Sequence, residues 1–420
     1  LSNRYLEKHA VYGPLIPVPA NEQLFLSVVI PCYNEPDLLR TLNSLRNCIP
    51  TRFPAEVIVV FNASKDNSEA ILRNEKSEKE FDEWEGKNRS DHIRFFKIVK
   101  NDLETKHAGV GLARKIGMDE AVRRFESIKN HEGVIVCLDA DCTVSRNYLR
   151  EIEQFFIAEP KATGCSIYFE HPVEGNEFEE EVYRAITAYE LYLRYYHAGL
   201  KWSGYPYCFQ TIGSCMAVRS HRYQKAGGMN RRKAGEDFYF LHKIFPAGNF
   251  FELNTTCVYP SPRPSLRVPF GTGSTVHKVI SRNHQIKAFN LQSFTDLKAM
   301  NALAGQLYDF DYREWIKSLP LSVKKFFEIQ KAEEKIGEIK ANAASNSTFI
   351  KRFYTWFDGL LLLQYFHFCR DYFYPDEPLE KSSTVLISRI YNKALPEDEK
   401  QALLFFREQA LADVKPVQPC

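Results

Sequence analysis

The sequence predicts an α/β protein: a doubly wound, mostly parallel sheet with helices on both faces, then an all-helical region from about residue 286. Three observations predict it. Short apolar runs recur at 24–30, 55–61, 93–99 and 134–138, each bounded by polar turn residues. Helical patterns separate them, a βαβαβ rhythm whose crossovers should be right-handed. From about His277 onward helical patterns dominate, broken at Pro320, Pro375, Pro378 and Pro396.

In chain order, residues 1–24 carry Pro14, Pro17 and Pro19 and read as an irregular lead-in. The first strand ends at Pro31-Cys32-Tyr33-Asn34-Glu35-Pro36, and Leu38, Leu39, Leu42 and Leu45 follow at helical spacing. The second strand runs into the polar loop Asn62–Ser68, and residues 69–88 form a charged, exposed helix. After the third strand, Gly109-Val110-Gly111 opens a helix to about Phe125. The fourth strand, Val134 to Leu138, is followed by Asp139-Ala140-Asp141. Helices are expected over 145–156, 177–200 and 238–245, and strands over 162–169, 211–219 and 250–259. The domains are therefore a lead-in at 1–24, an α/β domain at 25–285 and a helical region at 286–420.

Composition narrows the class. A chain of 420 residues suits two or three domains at roughly 150 residues each, and burying a large core is easy. A net charge of +2 gives no footing for nucleic acid as a partner. Ten scattered cysteines with no C-x-x-C pair indicate neither a zinc site nor a disulfide framework, so reduced thiols in a cytoplasmic protein are expected. The N-terminus lacks a signal-peptide shape, and the uncharged run Gly359–Cys369 is too short to span a bilayer.

Ligands of open α/β sheets collect beyond the carboxyl ends of the strands. Asp139 and Asp141 stand there, and paired hard oxygen ligands suit Mg²⁺ or Mn²⁺ carrying a substrate's phosphates. Asp-x-Asp alone also fits a polar capping turn. Pro31, Tyr33, Asn34 and Glu35, with Asn62 and Asp66, make a candidate nucleoside pocket at the same edge; ordinary turn chemistry is the plain alternative. Gly109-x-Gly111 lacks the third glycine of a dinucleotide fingerprint, but Arg114 in the first turns of its helix is placed to reach a phosphate or base.

Together these loops resemble family 2 glycosyltransferases, inverting nucleotide-sugar enzymes of the GT-A fold, over about residues 25–275. Ser27–Glu35 is similar to the family's first strand and nucleotide-contacting turn, and Gly111–Gly117 to the helix whose arginine contacts the nucleotide. Asp139-Ala140-Asp141 stands where the family keeps its metal-binding acids, and Gly235-Glu236-Asp237 where it keeps the carboxylate pair that includes the catalytic base. The resemblance implies a sugar moved from a nucleotide-diphosphate donor, a UDP-sugar first, to a hydroxyl of a glycan, lipid-linked or small-molecule acceptor. Mn²⁺ or Mg²⁺ is implied at Asp139 and Asp141, nucleotide contacts at Pro31, Tyr33, Asn34, Glu35, Asn62, Arg114 and Asp139, base chemistry at Asp237, and an orienting role at Glu236. Two departures stand out. Phe61-Asn62 replaces the family's usual aspartates after the second strand, and the Gln-x-x-Arg-Trp motif of processive synthases is absent.

The chemistry points the same way: a departing diphosphate needs cations, and an attacking hydroxyl needs a carboxylate to take its proton. Arg263, Arg267 and His277 surround Gly271-Thr272-Gly273, a loop able to fold over the diphosphate; His277 is a candidate third metal ligand or a solvated or core histidine. Leu138–Thr143 also fits the Asp-x-Asp-x-Thr loop of haloacid-dehalogenase-like phosphatases, although three strands precede it here. A non-catalytic sugar- or partner-binding protein on this scaffold is the other alternative. The aromatic stretch Phe353–Tyr374 reads as a helix face packed on the catalytic domain or a second subunit, or as a peripheral membrane surface near a lipid-linked acceptor.

Overall fold

A computed structural model describes residues 3–267, 271–282, 285–393 and 396–412. Two compact units emerge. Of the described residues, the first comprises 3–175, 211–267, 271–274 and 411–412, and the second 176–210, 275–282, 285–393 and 396–410. The boundary expected at 285 thus falls at 274, and residues 176–210, expected inside the α/β domain, group with the helical region.

In the first unit, helix α1 (Arg4–His9) precedes strand β1 (Leu26–Cys32), helix α2 (Leu38–Arg46), β2 (Ala55–Ser64), α3 (Ser68–Lys87), β3 (Ile93–Leu103), α4 (Val110–Ser127) and β4 (Val134–Cys137). The short β5 (Thr143–Val144), α5 (Tyr148–Ala158) and β6 (Gly164–Phe169) follow. After α6 (Glu180–Ser203), which belongs to the second unit, come β7 (Met216–Arg219), α7 (Ser220–Lys225), α8 (Glu236–Ile244) and β8 (Phe250–Tyr259). The sheet order is β3-β2-β1-β4-β7-β6-β8-β5. Strands β3, β2, β1 and β4 are parallel; β7 runs against both β4 and β6, and β8 is parallel to β6. Six of the eight strands therefore point one way, and the ends of β1, β2, β4 and β8 share one edge.

Strands β1 and β4 are buried at every residue, as expected of parallel strands covered on both faces. One charge is sealed into that core: Glu56 of β2 takes two bonds from Arg124 of α4, one of them at 2.6 Å. Leu138 extends β4, its N–H donating to Val29 O at 3.1 Å, so Asp139 is the first residue free of the sheet. The strand expected over 211–219 begins only at Met216, because the preceding residues form a loop against Arg114.

Apart from α1, the lead-in carries no regular secondary structure among its described residues. It is strapped along α4: Tyr5 Oη donates to Asp119 at 2.7 Å, Leu15 and Ile16 N–H groups donate to Glu120, and Arg124 donates to Val18 O at 2.8 Å. Tyr5→Phe is expected to lower stability by about 1 kcal/mol, the usual net worth of a hydrogen bond. An unchanged urea midpoint would show that Tyr223 and Lys115 satisfy Asp119 unaided.

Among its described residues the second unit is helical apart from the two-residue strands Lys287–Ala288 and Glu377–Pro378, which pair antiparallel. Pro320 and Pro378 cap the starts of helices Leu321–Ile329 and Leu379–Tyr391. The aromatic stretch is its core: Phe353, Phe357, Tyr365 and Phe366 are buried, and Tyr372 stands exposed. Glu190 of α6, fully buried, takes 2.7 Å bonds from both Arg194 and Arg407. Among the described residues no helix is long and apolar enough to cross a membrane.

Candidate active site

The shared edge of β1, β4 and β8 collects the chemistry-bearing loops. Because β7 enters antiparallel beside β4, the loop before it, with Gly213, lies at this edge too. At its centre is Arg114, only 2% exposed, which bonds Asp139 Oδ1 through one terminal nitrogen and Glu236 Oε1 through the other. Burial alone would lower the guanidinium's pKa, but Asp139, Glu236 and Asp237 overcome that and hold it above its ordinary value. Space for the group is made by omission: a Cβ on Gly213 would sit 2.2 Å from an Arg114 nitrogen. A Cβ on Gly111 would meet Arg232 O at 2.3 Å, so that glycine lets the α8 approach lie against α4. Arg114, expected to reach a nucleotide, is therefore a clamp between two acidic motifs.

The two carboxylates at the start of α8 differ in setting. Glu236 is 2% exposed and bonded to Arg114. Its pKa is pushed up by burial, against Arg114 and with Asp237 adding to the rise. Asp237 is partly exposed, and its Oδ1 accepts the Phe238 N–H at 2.8 Å. Burial raises its pKa as well, opposed by Arg114 and by N–H donation. Of the pair, only Asp237 has both accessibility and a charged neighbour to steady it.

Asp139 and Asp141 are half-open, with side chains 37% and 29% exposed. Burial lifts Asp141 to about 6, with Asp139 and Glu35 adding repulsion and Arg267 and Arg263 opposing. This is the signature of crowded carboxylates that a cation would relieve. Among the described residues no three His, Cys, Asp or Glu side chains form a metal-ligand group. Two carboxylates nevertheless suit Mg²⁺ or Mn²⁺, which take their remaining ligands from water and phosphate. His277 lies half-buried on the helix Thr272–Arg282, in the second unit.

The turn after β1 is tied to the segment after β8. Glu35, buried, accepts from Arg263 Nη2 at 2.6 Å and Arg267 Nη1 at 2.8 Å, and its other oxygen accepts Asp37 N–H at 3.0 Å. Arg267 Nη1 also donates to Tyr33 O at 3.1 Å and Asn34 O at 3.3 Å, and its Nε donates to Ser265 Oγ. Its Nη2 stands 3.8 Å from Asp141 Oδ2. Glu35, expected to touch a nucleotide, is occupied as the counter-ion of both arginines.

Pro31 closes β1 in the core, and Tyr33 Oη accepts from Asn67 at 2.9 Å. Asn34 adopts the left-handed φ of 49° that asparagine tolerates, which sends its N–H to Asn74 Oδ1 at 3.0 Å. Asn62 is buried and its Oδ1 has no hydrogen-bond partner, although its carbonyl accepts from Asn74. Asn74, fully buried on α3, thus joins the turns after β1 and β2, and through Asn101 the end of β3. Nothing in the charged pattern of α3 singles it out. Gly213 is invisible for the same kind of reason, since only the position of Arg114 gives it a role.

Residues 27–223 match the model of glycosyl transferase family 2. No curated protein matches the chain significantly. Among solved structures, S. aureus TarS 1–349 is similar, with 15% identity over 80% of this chain and 92% of that one and a TM-score of 0.37. The complex of TarS 1–349 with UDP-GlcNAc gives 13%, 79%, 91% and 0.39. A longer TarS structure gives 16%, 79%, 55% and 0.36.

Proposed function

We propose that this chain, which belongs to glycosyl transferase family 2 through residues 27–223, transfers a sugar from a nucleoside-diphosphate sugar to an acceptor hydroxyl with inversion, using Asp237 as base and a divalent cation at Asp139 and Asp141. The observation that carries the assignment of the base is the contrast at α8: Glu236 is sealed against Arg114, and Asp237 is partly exposed at the same sheet edge as the Asp-x-Asp pair. The acceptor oxygen attacks the anomeric carbon as the bond to the diphosphate breaks, and its proton passes to the Asp237 carboxylate. Inversion follows from a single in-line displacement with one base.

A formal charge count supports the cation. Among the described residues at this edge, the carboxylates Glu35, Asp37, Asp139, Asp141, Glu236 and Asp237 gather around the guanidiniums of Arg114, Arg263 and Arg267. A diphosphate adds negative charge to an edge already negative. A bound Mn²⁺ or Mg²⁺ supplies the missing positive charge to the leaving group. The family match removes the phosphatase alternative.

The test is a panel of nucleoside-diphosphate sugars, UDP-sugars first, incubated with Mn²⁺ and read for nucleotide release and for the anomeric configuration of the product. No turnover with any donor leaves the non-catalytic scaffold; a product that keeps the donor's configuration removes Asp237 as sole base. Asp141→Asn is expected to weaken Mn²⁺-dependent nucleoside-diphosphate binding by about tenfold or more with the fold intact, one unit of ligand charge being lost. Calorimetry showing unchanged binding would take the cation away from Asp141.

A further inference from the structure

Arg267 has an unusual position toward Asp141. Its guanidinium is fixed by Glu35, Tyr33 O, Asn34 O and Ser265 Oγ, yet its free end stops 3.8 Å short of the Asp141 carboxylate. It lies too near to be ignored electrostatically and too far for a hydrogen bond. The anchor is buried and shared: the same Glu35 oxygen also holds Arg263, so the guanidinium is held in place and not free to swing away. A cation bonded to Asp141 shares that oxygen's neighbourhood with a fixed positive charge. A diphosphate arriving alone meets an edge with more carboxylates than guanidiniums. The diphosphate is opposed by those carboxylates and a cation on Asp141 by this one fixed guanidinium, and an anion lying between cation and guanidinium relieves both.

We propose that Arg267, positioned by Glu35, makes cation binding at Asp141 conditional on the diphosphate. This rests on the cation site proposed above and adds the order in which that site fills. The metal is taken up with the nucleotide's diphosphate and not before it. Because binding linkage is reciprocal, the diphosphate gains as much from the cation as the cation gains from it.

Mn²⁺ binding, followed by the electron paramagnetic resonance of free Mn²⁺, tests this without turnover. In the unaltered protein Mn²⁺ alone binds weakly, and inorganic pyrophosphate tightens it. In Arg267→Gln, Mn²⁺ alone is expected to bind about tenfold tighter, since a positive neighbour is gone, and the enhancement by pyrophosphate shrinks by a similar factor. Arg267→Lys keeps the charge and stays close to the unaltered protein. A merely structural role for Arg267 would weaken both ligands and lower the melting temperature, so a gain in affinity for metal alone is diagnostic. Equal Mn²⁺ affinity in the unaltered protein and Arg267→Gln overturns the inference, as does a lysine variant that behaves like glutamine. Failure of Mn²⁺ to bind the unaltered protein even with pyrophosphate overturns it together with the cation site.

Discussion

Asp237→Asn is expected to lower turnover by about 10²- to 10⁴-fold, the usual contribution of a positioned base, with nucleoside-diphosphate affinity within a few-fold of normal. The substitution keeps the side chain's shape and removes its capacity to take a proton. The pH profile gives an independent reading. Burial holds the Asp237 carboxyl above the ordinary aspartate range, partly against Arg114. A base must be deprotonated, so kcat/KM should rise with pH along a limb displaced upward from an ordinary aspartate, and Asp237→Asn should lose that limb. Near-normal turnover in the variant ends the assignment.

The second large effect belongs to Arg114. Arg114→Met leaves Asp139 and Glu236 facing one another's charge without their shared cation. Removing one partner of a buried pair typically costs about 3–5 kcal/mol. Glu236 offsets part of that by protonating, since burial already pushes its pKa up. Combining Arg114→Met with Glu236→Gln should therefore cost less than the two changes added together, which a double-mutant cycle in urea measures. If the urea midpoint of Arg114→Met is unchanged while nucleotide affinity falls, the arginine serves the ligand and not the frame.

Strands β1 and β4 were legible because burial on both faces writes an unbroken apolar run. Val134 to Leu138 reads directly as the strand that ends at Asp139, and Phe250–Tyr259 appears with the bounds expected. Asp139-Ala140-Asp141 was legible for the same reason, since it follows a marked strand end; Glu236-Asp237, at the start of α8, came only from the family resemblance. Pairings between distant side chains were not. Glu35 and Arg267 lie 232 residues apart, and no periodicity links them. Arg114 stood out as a candidate, but its clamp on Glu236 depends on the room left at Gly213 and Gly111. The lead-in's attachment to α4 was not legible, because Leu15, Ile16 and Val18 bond through backbone N–H and C=O groups, which leave no trace in residue type.

Helix α6 lies inside the stretch that matches the family, yet packs with the C-terminal helices. The chain passes from one unit to the other after residues 175, 210 and 274, and again after 410. No single cut frees either unit. A protein ended at residue 274 keeps α6 but loses Arg407, leaving a carboxylate that was wholly buried with one of its two arginines missing and the helix's apolar face open to water. Shortening from the C-terminus should thus yield aggregation, not a minimal enzyme. Proteolytic nicks between the units should likewise leave fragments that stay associated until denatured.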